Sequence, residues 1–313
     1  MRRLEMPCHS CSNKPTRCGI VFIVIIACLL ILTSCVPKQM PEPQPPPPPP
    51  KPAKIALVLG AGASKGFAHI GVLKILESNK IPIHMIVGTS VGSFVGSLYA
   101  YGYDAYRLQT ISFSLEREDL FDLTIPDNGF VKGERLESYV NKTLRNTPIE
   151  KLRIPFYAIA TDITKGEEIV FGAGNAGTAV RASCSVPGVF QPAKIAGRTY
   201  VDGGVVSPLG INAARKYGAD VVIAVDISSS LDTSVPQRTI DTILQSINIM
   251  YSKISLIQLS KADVVIRPNV GYIGSADFSR RHEAILEGEK AALTALPDIT
   301  AIVSKLRQEG RLP

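Results

Sequence analysis

The sequence predicts an α/β protein with a mainly parallel central sheet and helices on both faces. Three observations carry that prediction. Apolar runs of strand length alternate with helix-length patterns from residue 55 onward. The run Ile55–Gly60, and Val221–Val225 within the expected strand Ala219–Ser228, are continuously apolar, as strands covered on both faces must be. A third run, Ile81–Val87, passes through a sharp glycine turn directly into a helix-like stretch of small and apolar residues.

With 313 residues, 45% hydrophobic and 19% charged, the chain can bury one sizeable core. The net charge of +7 divides into +4 over residues 1–52 and +3 over the rest, where the signs are interspersed. No basic stripe results, so a nucleic-acid partner is not expected.

The N-terminal part reads as a leader. A basic head (Arg2, Arg3, Lys14, Arg17) precedes the fourteen-residue apolar run Gly19–Leu32, short for a membrane span and typical of a signal-peptide core. The sequence Leu32-Thr33-Ser34-Cys35 resembles the bacterial lipobox. That resemblance implies a signal peptide over 1–34 and a lipidated Cys35 at the mature N-terminus. An uncleaved membrane anchor is the alternative, and either Met1 or Met6 could be the start. Cys8, Cys11, Cys18 and Cys28 fall in the part to be removed, and the Cys8/Cys11 pair lacks the second pair a zinc ribbon needs. Residues 35–52 form the lipidated cysteine and a proline-rich linker. As an extended polyproline spacer, at about 3.1 Å per residue, its last sixteen residues reach roughly 50 Å. A ligand for proline-binding modules is the other use of such a stretch. The expected product is a periplasm-facing envelope lipoprotein. Val36 favours the outer membrane, since it is not the aspartate associated with inner-membrane retention.

The globular domain is expected over 53–313. Its first strand runs into Gly60-Ala61-Gly62-Ala63-Ser64-Lys65-Gly66 and then a helix, FAHIGVLKILESN. A glycine-rich loop there invites a dinucleotide reading, which needs an acid at the end of the second strand. That strand ends instead in Gly88-Thr89-Ser90-Val91-Gly92, so no nicotinamide cofactor is expected. The loop's other use is as a set of backbone N–H donors for developing negative charge. Lys65 either adds positive potential there or is an ordinary solvated lysine. In the second turn, a serine at the apex of strand, turn and helix is held in a strained conformation that presents its hydroxyl. Residues two before and two after it must lack side chains, a demand met by Gly88 and Gly92; Gly96 lets the helix pack closely on a strand.

Beyond the elbow, 104–150 reads as mostly helical, with a looser segment at Thr124–Gly133 that could shape an entrance. Ile154–Ile163 and Glu168–Gly172 read as strands, AVRASCSVPGVFQP as a helix ending before Pro187 and then an apolar loop. Cys184 in that stretch reads as a small buried hydrophobe. Tyr200-Val201 closes a short strand, and Asp202-Gly203-Gly204 turns sharply, so that the aspartate can press close to another backbone or a ligand. A further strand is expected at Asp263–Arg267, and helices at Thr239–Leu259 and Ser279–Leu296. No carboxylate-rich loop suggests calcium or another metal.

LGAGASKGFAHIGVLKIL, GTSVGS, RASCSVPGVF and YVDGG stand in an order and spacing that resemble the patatin-like phospholipase family, from about Ala53 to beyond Ile227. The resemblance implies a serine acyl hydrolase acting on lipid esters through a Ser–Asp dyad, without a histidine or cofactor. Ser90 would be the nucleophile and Asp202 the base. The amides around Gly62, Ala63 and Ser64 would form the oxyanion hole, with Lys65 at the family's basic position; Gly60, Gly66, Gly203 and Gly204 complete the motif glycines. One departure is Ala61-Gly62-Ala63, where many members have three glycines: alanine keeps the amides but tolerates fewer backbone angles. Two rival readings stand beside this one. In one, Ser90, Asp202 and His282 form a triad in chain order. In the other, the chain is a catalytically idle lipoprotein that binds acyl chains or a protein partner.

Overall fold

The computed structural model describes residues 48–125, 128–228 and 235–313. The proposed leader, Cys35 and most of the proline linker lie outside the described residues. The compact unit runs from Pro50 to Pro313.

Among the described residues the sheet holds eight strands: β1 (Ile55–Leu59), β2 (Met85–Thr89), β3 (Phe156–Asp162), β4 (Glu167–Phe171), β5 (Ala193–Ile195), β6 (Arg198–Asp202), β7 (Val221–Val225) and β8 (Val264–Ile266). Their order is β5-β6-β3-β2-β1-β7-β8, with β4 also paired to β3. The β3-β2-β1-β7-β8 part is parallel throughout. The β4, β5 and β6 additions are antiparallel. The fold is therefore the expected mainly parallel α/β sheet.

Residues of β1 are wholly buried and alternate between two cores. Ile55, Leu57 and Leu59 face one layer. There they meet helices α1 (Phe67–Ser78), α2 (Val91–Tyr101), α3 (Ala105–Ser114), α5 (Glu134–Thr143) and α9 (Arg281–Gln308). A short α4 (Arg117–Leu120) joins α3 to α5, and α6 (Ala176–Ser183) follows β4. Ala56 and Val58 face a smaller layer with α7 (Ile211–Lys216) and the C-terminal end of α8 (Thr239–Leu259). Both faces are covered, which is why the strand reads as an unbroken apolar run. Helices α1 and α9 cross in close contact: a Cβ on Gly71 would lie 1.9 Å from the Ile285 carbonyl, and one on Gly288 would lie 2.0 Å from that of Ala68.

Two boundaries and one hairpin strand differ most from the sequence reading. Strand β2 starts at Met85 and not Ile81, because Pro82 has no N–H to offer a ladder. His84 consequently precedes the strand; its ring Nδ1 accepts from the Ile55 amide at 3.1 Å. The last helix does not stop at Leu296 but continues through Pro297 to Gln308. Pro297 falls on the exposed side, so the lost hydrogen bond is solvated while Ala292, Ala295, Ile299 and Val303 stay buried. Finally, β5 was not anticipated: it forms a tight hairpin with β6 through Ala196 (φ 48°) and Gly197 (φ 77°).

Candidate active site

Strand register brings the site together. Leu59 pairs with Gly88, so the loop after β1 and the elbow after β2 are neighbours at the carboxyl ends of adjacent parallel strands. Thr89 pairs with Ile159 on β3, and Ala160, one residue further, pairs with Asp202 on β6. Running against β3, β6 descends towards the elbow and ends at it. An antiparallel strand at this place delivers a carboxylate to a serine on the strand beyond its neighbour.

Ser90 occupies the turn between β2 and α2 with φ 55° and ψ −128°, a conformation that costs a non-glycine residue roughly 1–3 kcal/mol. The surroundings hold it there. Its amide donates to Ser183 Oγ at 2.9 Å, and Ser93 Oγ donates to its carbonyl at 2.7 Å. Gly88 and Gly92 are needed for space. A Cβ on Gly88 would stand 2.5 Å from the Gly92 carbonyl oxygen, and one on Gly92 would stand 2.0 Å from the Leu59 carbonyl oxygen.

The Ser90 hydroxyl donates to Asp202 Oδ2 at 2.5 Å, with both residues buried. The other carboxylate oxygen accepts the Gly204 amide at 2.7 Å. The Asp202 backbone is fixed on both sides, its amide donating to the Ser185 carbonyl at 2.8 Å and its carbonyl accepting from Thr161 Oγ1 at 2.9 Å. Gly203 and Gly204 permit this packing: side chains there would strike the Ile159 carbonyl at 2.2 Å and the Tyr251 ring at 2.3 Å. Burial pushes the Asp202 carboxyl up from 3.8 to about 6. The Ser90 and Gly204 hydrogen bonds pull it back in part. The nearby Tyr251 hydroxyl adds a smaller pull, although it lies outside hydrogen-bonding geometry and has no partner among the described residues. The carboxylate is thus ionised at neutral pH yet more basic than an exposed aspartate.

The loop after β1 contains a 3₁₀ turn, Ala63–Gly66. The Ser64 amide donates to the Ser275 carbonyl at 3.2 Å and the Lys65 amide to that of Gly62 at 3.2 Å. Both N–H groups are committed, which removes that of Ser64 from the expected amides of Gly62, Ala63 and Ser64. The amides of Gly62 and Ala63 have no acceptor among the described residues. Ala63 sits at φ 52°, the left-handed region that alanine tolerates poorly, at a cost of roughly 1–2 kcal/mol. Gly60 and Gly66 are close contacts of this loop, with Leu209 and with Val91 of α2 respectively; Gly62 lies over Ile227. Lys65 is only 3% exposed, which corrects its reading as a solvated lysine. It lines a second, polar cavity with Arg238 and Asp241.

His69 has a more particular place than core packing. Its Nε2 lies 2.9 Å from the Gly60 carbonyl, the start of the loop. A carbonyl can only accept, so Nε2 carries the proton; burial lowers the ring's pKa to about 4 and keeps it neutral. Nδ1 is buried without a hydrogen-bond partner among the described residues. His282, in contrast, is exposed and stacks on Phe113, their ring centroids 4.3 Å apart. Among the described residues no histidine hydrogen-bonds Ser90 or Asp202, and the triad reading has no geometric support.

Ser90 and Ala63 open on one apolar cavity, part of it open to solvent. Phe67, Phe94, Leu98, Leu108, Phe121 and Phe190 represent its lining. Cys184 also faces it, 3.8 Å from Ser93 Oγ; burial and the Asp202 charge push the thiol's pKa up, so it stays protonated. Among the described residues no group of three His, Cys, Asp or Glu side chains could hold a metal ion, and no helix is long and apolar enough to cross a membrane. Sequence reasoning missed Ser183, Ser185, Thr161 and Tyr251. The first two lie inside the RASCS stretch, but nothing in their spacing marks them as supports.

Comparison with known proteins gives the family and the fold. The sequence model of the family described as patatin-like phospholipase matches residues 57–215. Lysophospholipase NTE1 of Pyricularia oryzae is 31% identical over 288 residues, covering 82% of this chain and 19% of that protein. Patatin-like phospholipase domain-containing protein 6 of Mus musculus is 35% identical over 185 residues, covering 56% of this chain and 14% of that protein. The chain therefore spans less than a fifth of the length of these curated relatives. Among solved structures, VipD from Legionella pneumophila shares the fold, with a TM-score of 0.54 at 14% identity over 79% of this chain and 67% of that one.

Proposed function

The chain belongs to the patatin-like phospholipase family, and from that premise we propose that it is a lipid acyl hydrolase working through a Ser90–Asp202 dyad. What carries the reading is the 2.5 Å hydrogen bond from a strained serine to a buried carboxylate of raised pKa, facing an apolar cavity. The cavity takes the acyl chain and places its ester carbonyl at Ser90 Oγ. As Oγ attacks, its proton passes to Asp202 Oδ2, and the carbonyl oxygen becomes an oxyanion received by the Gly62 and Ala63 amides. The N-terminus of α2 adds its dipole. Collapse of the intermediate expels the alcohol, which takes the proton from Asp202. Water, deprotonated by the same carboxylate, then releases the fatty acid and restores Ser90.

The substrate class proposed is the acyl ester of a membrane lipid, phospholipid or lysophospholipid. The test is fatty-acid release from phosphatidylcholine and lysophosphatidylcholine by the full chain, beside Ser90→Ala. Release abolished in the variant supports the reading. Equal rates for the two proteins, or none from the wild type on any acyl ester, would return the chain to the idle acyl-binding alternative.

The proposed setting is the bacterial envelope, with the domain tethered through Cys35 and facing the periplasm, at the outer membrane more than the inner. The motivation is Leu32-Thr33-Ser34-Cys35 followed by the proline-rich spacer. Mass spectrometry of the mature protein is expected to find diacylglyceryl-modified Cys35 at the N-terminus. An intact Met1 or Met6 terminus contradicts it.

A further inference from the structure

Between α4 and α5 the described residues 121–125 and 128–133 pair as the two antiparallel arms of a small hairpin that the dyad mechanism does not use. Leu123 bridges to Val131, the Thr124 amide donates to the Phe130 carbonyl at 2.9 Å, and the Lys132 amide to that of Asp122 at 3.1 Å. Asp122 staples its base, one carboxylate oxygen accepting the Gly133 amide at 2.7 Å and the other the Glu134 amide at 2.9 Å. On the inner side, the amides of Phe130 and Val131 both donate to the Val189 carbonyl at 2.9 Å, and Val131 bridges to Phe190. Phe121 and Phe190 line the acyl cavity, their rings 5.3 Å apart. The hairpin is thus a braced structure attached to the cavity wall.

Beside the exposed Asn128 and Lys132, three of its exposed residues are large and apolar. Leu123 is 78% exposed, Ile125 87% and Phe130 47%. Three large apolar side chains held out on one braced hairpin are a patch that calls for a partner. Residues 121–133 contain Asp122 and Asp127 against Lys132, so no excess of positive charge would direct the hairpin to anionic lipid. We propose that this hairpin is the rim by which the protein enters a zwitterionic lipid surface, Leu123, Ile125 and Phe130 dipping among the acyl chains beside the cavity. The inference rests on the lipid-hydrolase reading for its purpose. A substrate acyl chain can then pass from lipid into the cavity along apolar surface.

The sequence contains no tryptophan, so Ile125→Trp in the full chain supplies the one indole, excited at wavelengths beyond the tyrosine absorption. With phosphatidylcholine vesicles its emission is expected to shift to shorter wavelength and to be quenched by brominated phosphatidylcholine. Leu293→Trp, at a position 53% exposed on α9, is expected to shift little. Emission from position 125 unchanged by vesicles, or equal shifts at both positions, would overturn the proposal. So would a shift without lipid accompanied by a doubled mass in light scattering, which would assign the patch to a second copy of the chain. In a companion assay, Ile125→Glu should lower hydrolysis of vesicle phosphatidylcholine at least tenfold while hydrolysis of a soluble short-chain ester stays within twofold. An inactive wild type would count against the hydrolase reading but leave the fluorescence result to stand or fall alone.

Discussion

Asp202→Asn is expected to lower kcat on a lipid ester as far as Ser90→Ala does, by roughly three to four orders of magnitude. The double variant should fall no further, because the two groups act in one proton transfer. The reason is geometric. Ser90 Oγ donates directly to Asp202 Oδ2, and no imidazole stands between them. Asparagine keeps the shape and can still accept the Gly204 amide, but it cannot take the serine proton. His282→Ala should retain most activity, since the ring is exposed and stacked on Phe113. In the wild type, kcat/KM should rise with pH through about 6, the pKa of the buried carboxyl, and then level off. A loss of some thousandfold in a folded His282→Ala protein would sink the dyad.

The second large effect concerns stability and has the opposite sign. Asp202 is 0% exposed, and burial raises its carboxyl to about 6 in the folded protein against 3.8 for a freely solvated aspartate. A raised acid pKa means that the folded state binds the proton more tightly. The contribution is favourable below pH 4 and is lost as pH rises through 6. The shift of about two units corresponds to roughly 3 kcal/mol. Asp202→Asn, which cannot ionise, should therefore unfold in urea at a higher midpoint than the wild type at pH 8. The gap should close on going to pH 4. Subtracting one protein from the other removes the other titrating groups, most of which the two share. A gap independent of pH would mean that the carboxyl is not destabilised by burial, and that its basicity has another source.

How much of this was legible in the sequence depends on what each residue's neighbours are. The elbow was legible because its pattern is local: Gly88 and Gly92 flank Ser90 within five residues, although only the Gly88 clash is with nearby backbone, that of Gly92 and Ser93, while Gly92 gives way to the Leu59 carbonyl on the neighbouring strand. The parallel core was legible because a strand covered on both faces shows no alternation. Asp202 could be singled out by its two glycines, yet its distance from Ser90 depends on β6 running against β3, which no local pattern announces. The expected oxyanion donors were legible only as a group, the amides of Gly62, Ala63 and Ser64 with Lys65 beside them. The Ser64 amide is claimed by Ser275, more than two hundred residues away, and only the fold reveals that. Lys65 misled for a similar reason, a lysine in a glycine loop being solvated unless a distant segment covers it. Pro297 misled because its cost depends on which side of the helix it faces. The exposed apolar residues of the 121–133 hairpin were invisible as such, since a Leu or Ile in a loop is normally read as buried.

The central claim is that Ser90 is the nucleophile and that Asp202 makes it one. The most direct measurement is covalent capture with an alkyl fluorophosphonate, which phosphonylates an activated serine, followed by peptide mapping of the full chain at pH 8. The adduct is expected on Ser90 alone. It should be absent from Ser90→Ala and much slower to form in Asp202→Asn, while Ser93 and Cys184, which share the cavity neighbourhood, remain unmodified. Labelling that leaves Ser90 untouched, or that proceeds at the wild-type rate in Asp202→Asn, would contradict the account.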